Sequence, residues 1–243
     1  MTPPLINVTL PAFNEEAQLA ENTRKVVAFL AGQPSSRWEI LIADNGSTDR
    51  TWAIAQELAA NGASEASTAV SVRARHLDAA GRGGAIKAAW LASNADILSY
   101  MDVDLSTDLS CLPALLAAIT EGGADLAVGS RLLPASRTTR GWKREVLSRG
   151  YSRLIRRALG LRVRDAQCGF KAIRREAARV LLPQVQDSGW FFDTELLVRA
   201  QRAGYRVAEV PVRWVDDPGS TVKLLPTIGR DLKGVWRLRR EAG

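Results

Sequence analysis

Short apolar, β-rich runs alternate with helix-like stretches through the first 130 residues, and this alternation limits the fold more than any other feature. Strands are expected at 6–11, 39–43, 69–73, 97–101 and 125–129, with helices at 15–31, 50–60, 84–93 and 111–120 between them. Such βαβ repetition predicts a mostly parallel central sheet with helices on both faces. In sheets of this kind, ligands bind beyond the carboxyl ends of the strands. The polar clusters after the first, second and fourth strands (Asn14 and Glu15, Asp44 to Asp49, Asp102 to Asp104) should therefore converge on one edge.

The pattern changes after Gly129. Residues 144–161 read as a basic amphipathic helix and residues 224–240 as a second one. Charge is divided in the same way: residues 1–130 carry 8 Lys/Arg and 15 Asp/Glu, whereas residues 131–180 carry 15 and 3. An acidic first half and a strongly basic centre point to a polyanionic partner for the centre, and argue against a nucleic-acid binder. The chain reads as one domain, with no linker or repeat dividing it. No signal peptide is expected from the opening residues, and no window approaches the roughly 18–20 apolar residues of a membrane span. Two cysteines, Cys111 and Cys168, and one histidine, His76, make neither a disulfide framework nor a His/Cys metal site. A cytoplasmic enzyme fits these features.

Three clusters and a glycine run carry the chemistry. Asp102-Val103-Asp104 follows the apolar run 97–101, and two carboxylates at the end of a buried strand need a cation or donors to offset their desolvation. Oxygen ligands suit Mg²⁺ or Mn²⁺, completed by substrate phosphates; the plainer reading is that Asp104 or Asp108 caps the next helix. Asp44 can accept the ring N–H of a uracil-like base, while Ser47 to Asp49 read mostly as a helix start. In Pro11-Ala12-Phe13-Asn14-Glu15, Pro11 is expected to end the strand, Phe13 to lie beside a base and Glu15 to reach a ribose hydroxyl. Acids in the first turn of a helix would serve equally well. Gly81-Arg82-Gly83-Gly84 offers backbone amides and a cation to a diphosphate, or a plain turn. Strand one lacks the glycine fingerprint of dinucleotide-binding dehydrogenases.

Together these residues resemble the family-2 glycosyltransferases, whose GT-A fold is Rossmann-like. Pro11-Ala12-Phe13-Asn14-Glu15-Glu16, Asp44-Asn45-Gly46-Ser47-Thr48-Asp49 and Asp102-Val103-Asp104 occur in the family's order. Further segments resemble the polyprenyl (dolichyl) phosphate sugar synthases: Gly81 to Ala85, Val128-Gly129-Ser130-Arg131, Asp165 to Lys171, Trp190 to Leu197 and Glu209 to Trp214. The wording Gln167-Cys168-Gly169-Phe170-Lys171 is closer to dolichyl phosphate glucosyltransferases than to mannose synthases. Asn45 departs from the pattern, standing where many relatives have a second Asp.

The resemblance implies an inverting transfer of a sugar, from a UDP-hexose or UDP-N-acetylhexosamine, onto polyprenyl phosphate. It implies a nucleotide-sugar half at 1–130, an acceptor half at 131–222 and a basic C-terminal helix at 223–243. Donor contacts would come from Pro11, Phe13, Asn14, Glu15, Asp44, Gly81, Arg82, Gly83, Asp102, Val103 and Asp104. Asp102 and Asp104 would hold Mg²⁺ or Mn²⁺; Asp104, Asp193 and Arg131 would be catalytic; Arg131, Arg144, Arg149 and Arg213 would hold the acceptor phosphate. Asp193 is equally placed to cap a helix. Because a phosphate monoester is already largely ionised near pH 7, orientation and charge screening can replace a general base. The basic helices would dock peripherally on an anionic membrane at its cytoplasmic face, directly or through a small membrane protein, with Trp236 as an interfacial anchor. Trp38, Trp52 and Trp90 are expected in the core, and Trp142 beside a mobile loop. Three alternatives stay open: a GDP-mannose donor, a soluble acceptor, or a nucleotide-sugar-binding regulator without catalysis.

Overall fold

The computed structural model describes residues 3–64, 70–78, 81–216 and 224–241. For residues 62–64, 142–144, 146–147, 224–228 and 230, only the backbone is described. Residue 69 of the expected third strand therefore lies outside the described residues, as do the side chains of Trp142, Arg144, Val146, Leu147, Leu225, Ile228 and Arg230.

The first half follows the expected alternation: β1 (Leu5–Ala12), α1 (Leu19–Ala31), β2 (Arg37–Asp44), α2 (Thr51–Ser64), β3 (Val70–His76), α3 (Arg82–Ala92), β4 (Ile97–Met101), α4 (Leu112–Thr120) and β5 (Leu126–Ser130). The second half adds β6 (Arg137–Thr139), α5 (Trp142–Leu159), β7 (Phe170–Arg174), α6 (Arg175–Leu181), α7 (Phe192–Arg202), β8 (Val207–Pro211), β9 (Arg213–Val215) and α8 (Leu224–Arg240). Seven strands form one sheet in the order β3-β2-β1-β4-β7-β5-β8, in which β7 runs against its neighbours. Every residue of β4 and of β5 is buried, as expected of strands covered on both faces. This is an α/β fold of the GT-A type. Strands β6 and β9 form a separate parallel ribbon.

Several boundaries moved for local reasons. Pro11 does not end β1; it pairs in register with Ala43. The β1–β4 pairing has already stopped at Thr9 and Tyr100, so the missing Pro11 N–H interrupts no ladder there. Helix α1 starts at Leu19 rather than 15, because Asn14 adopts φ 55° and the Glu15 N–H turns to Thr51 Oγ1 at 2.7 Å. From Leu19 onward Leu19, Asn22, Thr23, Val26 and Leu30 form one buried face. Helix α5 ends at Gly160, whose left-handed φ of 62° permits the turn. Trp142 is the first residue of this helix, directly after Gly141. Trp38 and Trp90 are buried as expected, while Trp52 packs half-buried at the core's edge.

Strand order reverses between β1 and β4, so a crevice opens beyond their carboxyl ends. Since β7 is antiparallel, its amino end reaches the same edge, with Phe170 opposite Met101. The chemistry-bearing segments from both halves therefore meet there.

Candidate active site

At the end of β4, Asp102 and Asp104 diverge around buried Val103. Asn22 Nδ2 donates to the Val103 carbonyl at 2.9 Å, fixing the turn to α1, and Leu105 follows with φ 51°. Asp104 Oδ1 accepts from the Ser106 N–H at 2.9 Å. The helix cap is Asp108, which accepts from the Ser110 N–H at 2.9 Å. Capping thus accounts for Asp108 and leaves Asp102 and Asp104 to another role. Asp102 leans over Gly169, where a Cβ would stand 1.8 Å from Asp102 Oδ2. Glycine is required there by the close approach of the carboxylate.

Arg82, at the start of α3, organises the carboxylates. Its Nη2 donates to Asp102 Oδ1 at 2.7 Å and its Nη1 to Asp193 Oδ2 at 2.7 Å. The guanidinium lies 4.9 Å from the ring centroids of both Tyr100 and Trp190. Burial alone would lower its pKa; Asp102, Tyr100 and Asp193 together hold it well above the ordinary value. The adjoining amides are partly committed already. Asn45 Oδ1 accepts from the Gly81 N–H at 2.7 Å, and Ser188 O from the Gly84 N–H at 2.9 Å. A Cβ at Gly83 would stand 2.3 Å from that of Phe192, so Gly83 serves helix packing. Of the glycine run, the Arg82 side chain is the group best placed to meet a diphosphate.

Asp193 is not the cap that the sequence also suggested. Helix α7 begins at Phe192 with Phe191 as its N-cap residue, and no side chain caps it. The Asp193 carboxylate instead takes Arg82, the Tyr100 hydroxyl and the Lys171 ammonium, the last at 2.9 Å. Burial would raise its pKa, but Lys171 and Arg82 override that and hold it below the usual carboxylate range. A general base needs an available lone pair and a pKa near the working pH. Both Asp193 oxygens are engaged, by Arg82 on one side and by Lys171 and Tyr100 on the other, an arrangement that suits positioning of Arg82 better than proton abstraction.

On the donor side, Asp44 is fully buried at the end of β2. Its Oδ2 lies 2.6 Å from His76 Nδ1, and His76 stacks near Trp52 at 5.2 Å between centroids. Asp44 Oδ1 is buried with no hydrogen-bond partner among the described residues. An acceptor left in this way suits an incoming ring N–H. Phe13 is exposed at the mouth of this region. Asn14 uses its Oδ1 on the Thr48 N–H and its own N–H on Ser47 Oγ, while Glu15 accepts from Gln18 Nε2 at 2.6 Å. Asn14, Ser47 and Thr48 therefore join two loops, and the start of α2 is held by Asp49 and Glu16.

At the end of β5, Arg131 forms a two-point fork with buried Asp165, Nε to Oδ2 at 2.7 Å and Nη2 to Oδ1 at 2.9 Å. Burial would lower the Arg131 pKa, but Asp165 raises it, with smaller contributions from Cys168 and Asp102. Trp214 on β9 lies under Arg131 at 5.5 Å and Arg140 at 4.4 Å. The ribbon is tied to the β4 turn through the bridge Thr107–Trp214 and the Val215 N–H donating to Ser106 O. Among the described side chains, the expected arginines Arg213 and Arg149 are engaged elsewhere. Arg213 neighbours Trp214 on the strand and so faces the opposite way, pairing with Asp108 at 3.3 Å; Arg149 pairs with Glu145 at 2.5 Å. Lys171, Asp165, Tyr100 and Arg140 belong to the site region but carried no role in the sequence reading; only the basic centre hinted at Arg140. Cys168 is buried, and burial pushes its thiol up to about 12, which suits an inert side chain.

The donor set fits a hard divalent cation. Asp102 and Asp104 supply oxygen at the strand end, and the missing side chain of Gly169 makes room for the Asp102 carboxylate. Among the described residues no group of three His, Cys, Asp or Glu side chains stands together to hold a metal. Substrate phosphates would have to complete the coordination.

Comparison with known proteins agrees with this geometry. The family model "Glycosyl transferase family 2" matches residues 7–182. The chain is 42% identical over 238 residues to glycosyltransferase AglD of Haloferax volcanii, covering 95% of this chain and 35% of that protein. It thus spans about a third of AglD. Dolichyl-phosphate beta-glucosyltransferase of Drosophila melanogaster is 33% identical over 248 residues, covering 95% of this chain and 74% of that one. Glucosyl-3-phosphoglycerate synthase from Mycobacterium tuberculosis, in complex with Mn²⁺ and uridine-diphosphate-glucose, has a similar fold: TM-score 0.66 at 21% identity, covering 96% of this chain and 78% of that one.

Proposed function

The chain belongs to glycosyl transferase family 2, and from that premise we propose that it transfers a hexose from a UDP-sugar to a polyprenyl phosphate, with inversion and with Mg²⁺ or Mn²⁺. The observation that carries this reading is the position of Asp102. It is bound by Arg82 on the diphosphate side and lies within electrostatic reach of Arg131 on the other. One carboxylate thus interacts with two cations, each of a kind suited to a phosphate.

Within the site, the open oxygen of Asp44 receives the base N–H and Phe13 lies beside the ring. Arg82 reaches the diphosphate, its direction held by Asp193 and by the Tyr100 and Trp190 rings. Asp102 and Asp104 would hold a divalent cation, which would supply positive charge to offset the departing diphosphate. Arg131, made rigid by Asp165, orients the acceptor phosphate. A phosphate monoester is already ionised near neutrality, which agrees with the commitment of Asp193 to its ion pairs. The dolichyl-phosphate beta-glucosyltransferase names of several relatives support a glucosyl group and the lipid phosphate.

Membrane contact on the acceptor side fits the surface of α5 and α8. Leu154, Leu232 and Trp236 are exposed, and the Arg240 guanidinium covers Trp236 at 3.5 Å. Arg153, Arg156 and Arg157 line a cleft at the end of α5. Basic groups at an anionic surface contribute roughly 1 kcal/mol each. No helix among the described residues is long and apolar enough to cross a membrane. Flotation with phosphatidylglycerol vesicles should carry the protein upward. Equal flotation of Trp236→Ala with Leu232→Ser would remove direct docking through this face.

The deciding experiment offers purified protein, with Mg²⁺ or Mn²⁺, a panel of UDP- and GDP-sugars with and without polyprenyl phosphate. Mass spectrometry of the organic phase should show a glycosyl-phosphoprenyl species from a UDP-hexose. Product from GDP-mannose alone would overturn the donor assignment. Donor hydrolysis without lipid product would move the acceptor elsewhere.

A further inference from the structure

Arg140 is buried with its Nε–H unmet among the described residues. Its side chain is 9% exposed, and its Nε is buried with no hydrogen-bond partner among the described residues. Its ion pair with Glu145 spans 3.5 Å, Nη1 to Oε2, too long for a good hydrogen bond. Glu145 is in turn taken more closely by Arg149 at 2.5 Å. A guanidinium carries five N–H donors and is costly to bury unless acceptors meet them. Stacking on Trp214 at 4.4 Å offsets part of that cost without satisfying a donor.

The surroundings define which acceptor is absent. Among the described residues, the charged groups with the largest influence on Arg140 are Arg131, Glu145, Asp216 and Asp165. Burial first, then the like charge of Arg131, pushes the Arg140 pKa down; the three carboxylates oppose this. Arg131 itself is engaged by Asp165 through Nε and Nη2, which leaves Nη1 outside the fork. Two guanidiniums with donors to spare therefore lie over one indole, beside the turn that carries Asp102 and Asp104. An oxyanion with several acceptor oxygens answers both, and neither needs to leave the ring it stacks on.

We propose that Arg140 is an acceptor-binding residue, joining Arg131 over the Trp214 ring to hold the phosphate monoester that receives the sugar. This rests on the lipid-phosphate reading above and adds a residue that the basic-centre pattern did not single out. The two arginines divide the work. Arg131 is fixed by Asp165 before the acceptor arrives, whereas Arg140 is held loosely and gains its hydrogen bonds on binding. Its contribution should thus appear mainly in acceptor affinity.

The test is calorimetric titration of farnesyl monophosphate into the full chain with Mg²⁺ and UDP present, beside a titration of UDP alone. Arg140→Gln should weaken farnesyl monophosphate binding about tenfold or more, with UDP affinity unchanged within twofold. In turnover, the acceptor KM should rise while the donor KM stays in place, a separation that general loss of structure would not produce. Arg140→Lys keeps the charge but loses the planar fork, and should still weaken the acceptor severalfold; it replaces the Gln variant if that one melts early. If the wild-type chain binds farnesyl monophosphate and both variants bind it equally well, Arg140 has no such role and the lipid-phosphate reading survives. If the wild-type chain does not bind it, the lipid-phosphate reading fails and this assignment with it.

Discussion

Arg82 Nη2 stands 2.7 Å from Asp102 Oδ1, so a carboxylate suited to a divalent cation is also the partner of a protein cation from another helix. The pair joins α3 to the end of β4, and through Asp193 the same guanidinium reaches α7. Three elements far apart in sequence are thus aligned on one charge. The arrangement also keeps Asp102 compensated in a site where desolvation would otherwise be costly.

Replacing Arg82 tests this alignment. Arg82→Gln should weaken UDP binding by roughly 10- to 100-fold in excess Mg²⁺, the size expected for charge-assisted contacts to a diphosphate. Calorimetric titration with UDP measures it. An unchanged affinity would show that the cation serves only Asp102 and Asp193.

The carboxylates should be needed together with a metal. Asp104→Asn is expected to lower kcat/KM about 100-fold or more, and EDTA should abolish wild-type turnover until Mg²⁺ or Mn²⁺ is restored. Electron paramagnetic resonance of Mn²⁺ with UDP present checks binding directly. Near-full turnover of Asp104→Ala under chelation would end the metal assignment.

Asp193 should act through structure. Lys171 is fully buried and its ammonium lies 2.9 Å from Asp193 Oδ1. Asp193→Asn leaves that charge without its counter-ion and should cost about 3–5 kcal/mol of stability. The Asp193 pKa is held down, so its stabilisation is complete above the unfolded value near 4 and is lost as pH falls through the lower folded value. The residual activity of Asp193→Asn should keep the wild-type pH profile. Loss of an acidic limb in that profile would restore the base role.

A second acid-sensitive lock lies on α7. Glu195 accepts from Arg237, from Arg199 and from the backbone N–H groups of Asp187 and Gln186. These bonds outweigh its burial and lower its pKa to about 2. Its contribution is therefore complete above about pH 4.5 and fades as pH falls toward 2. Urea midpoints measured from pH 6 to pH 3 should drop in the wild type and drop less in Glu195→Gln. Equal slopes would show that Arg237 and Arg199 hold α8 to α7 without help from this carboxylate.

The donor half was legible because its signals are local. Apolar runs 97–101 and 125–129 lie on β4 and β5, and an acidic pair directly after a buried strand has few uses. The second half was harder to read. Strands β7 and β8 have no distinct alternation, and β6 and β9 are three residues each. Asp193 had a good local reason to be a cap, its place before Thr194-Glu195. The nearby Lys171 ammonium, which comes from β7, decides otherwise. Arg213 looked equivalent to other basic residues, yet strand alternation turns it away from the face that Trp214 occupies.

By itself, then, the sequence determined the α/β class, the sheet edge where the polar clusters converge and the Asp102–Asp104 pair, since periodicity and strand-end chemistry depend on neighbours in the chain. Only the tertiary structure decided which charges belong to each other. Arg82 with Asp102 and Asp193, Arg131 with Asp165, and Arg140 with Trp214 are separated by 20 to 111 positions along the chain. Electrostatic pairing acts through space over a few ångströms, and the antiparallel insertion of β7 and the β6–β9 ribbon set those distances.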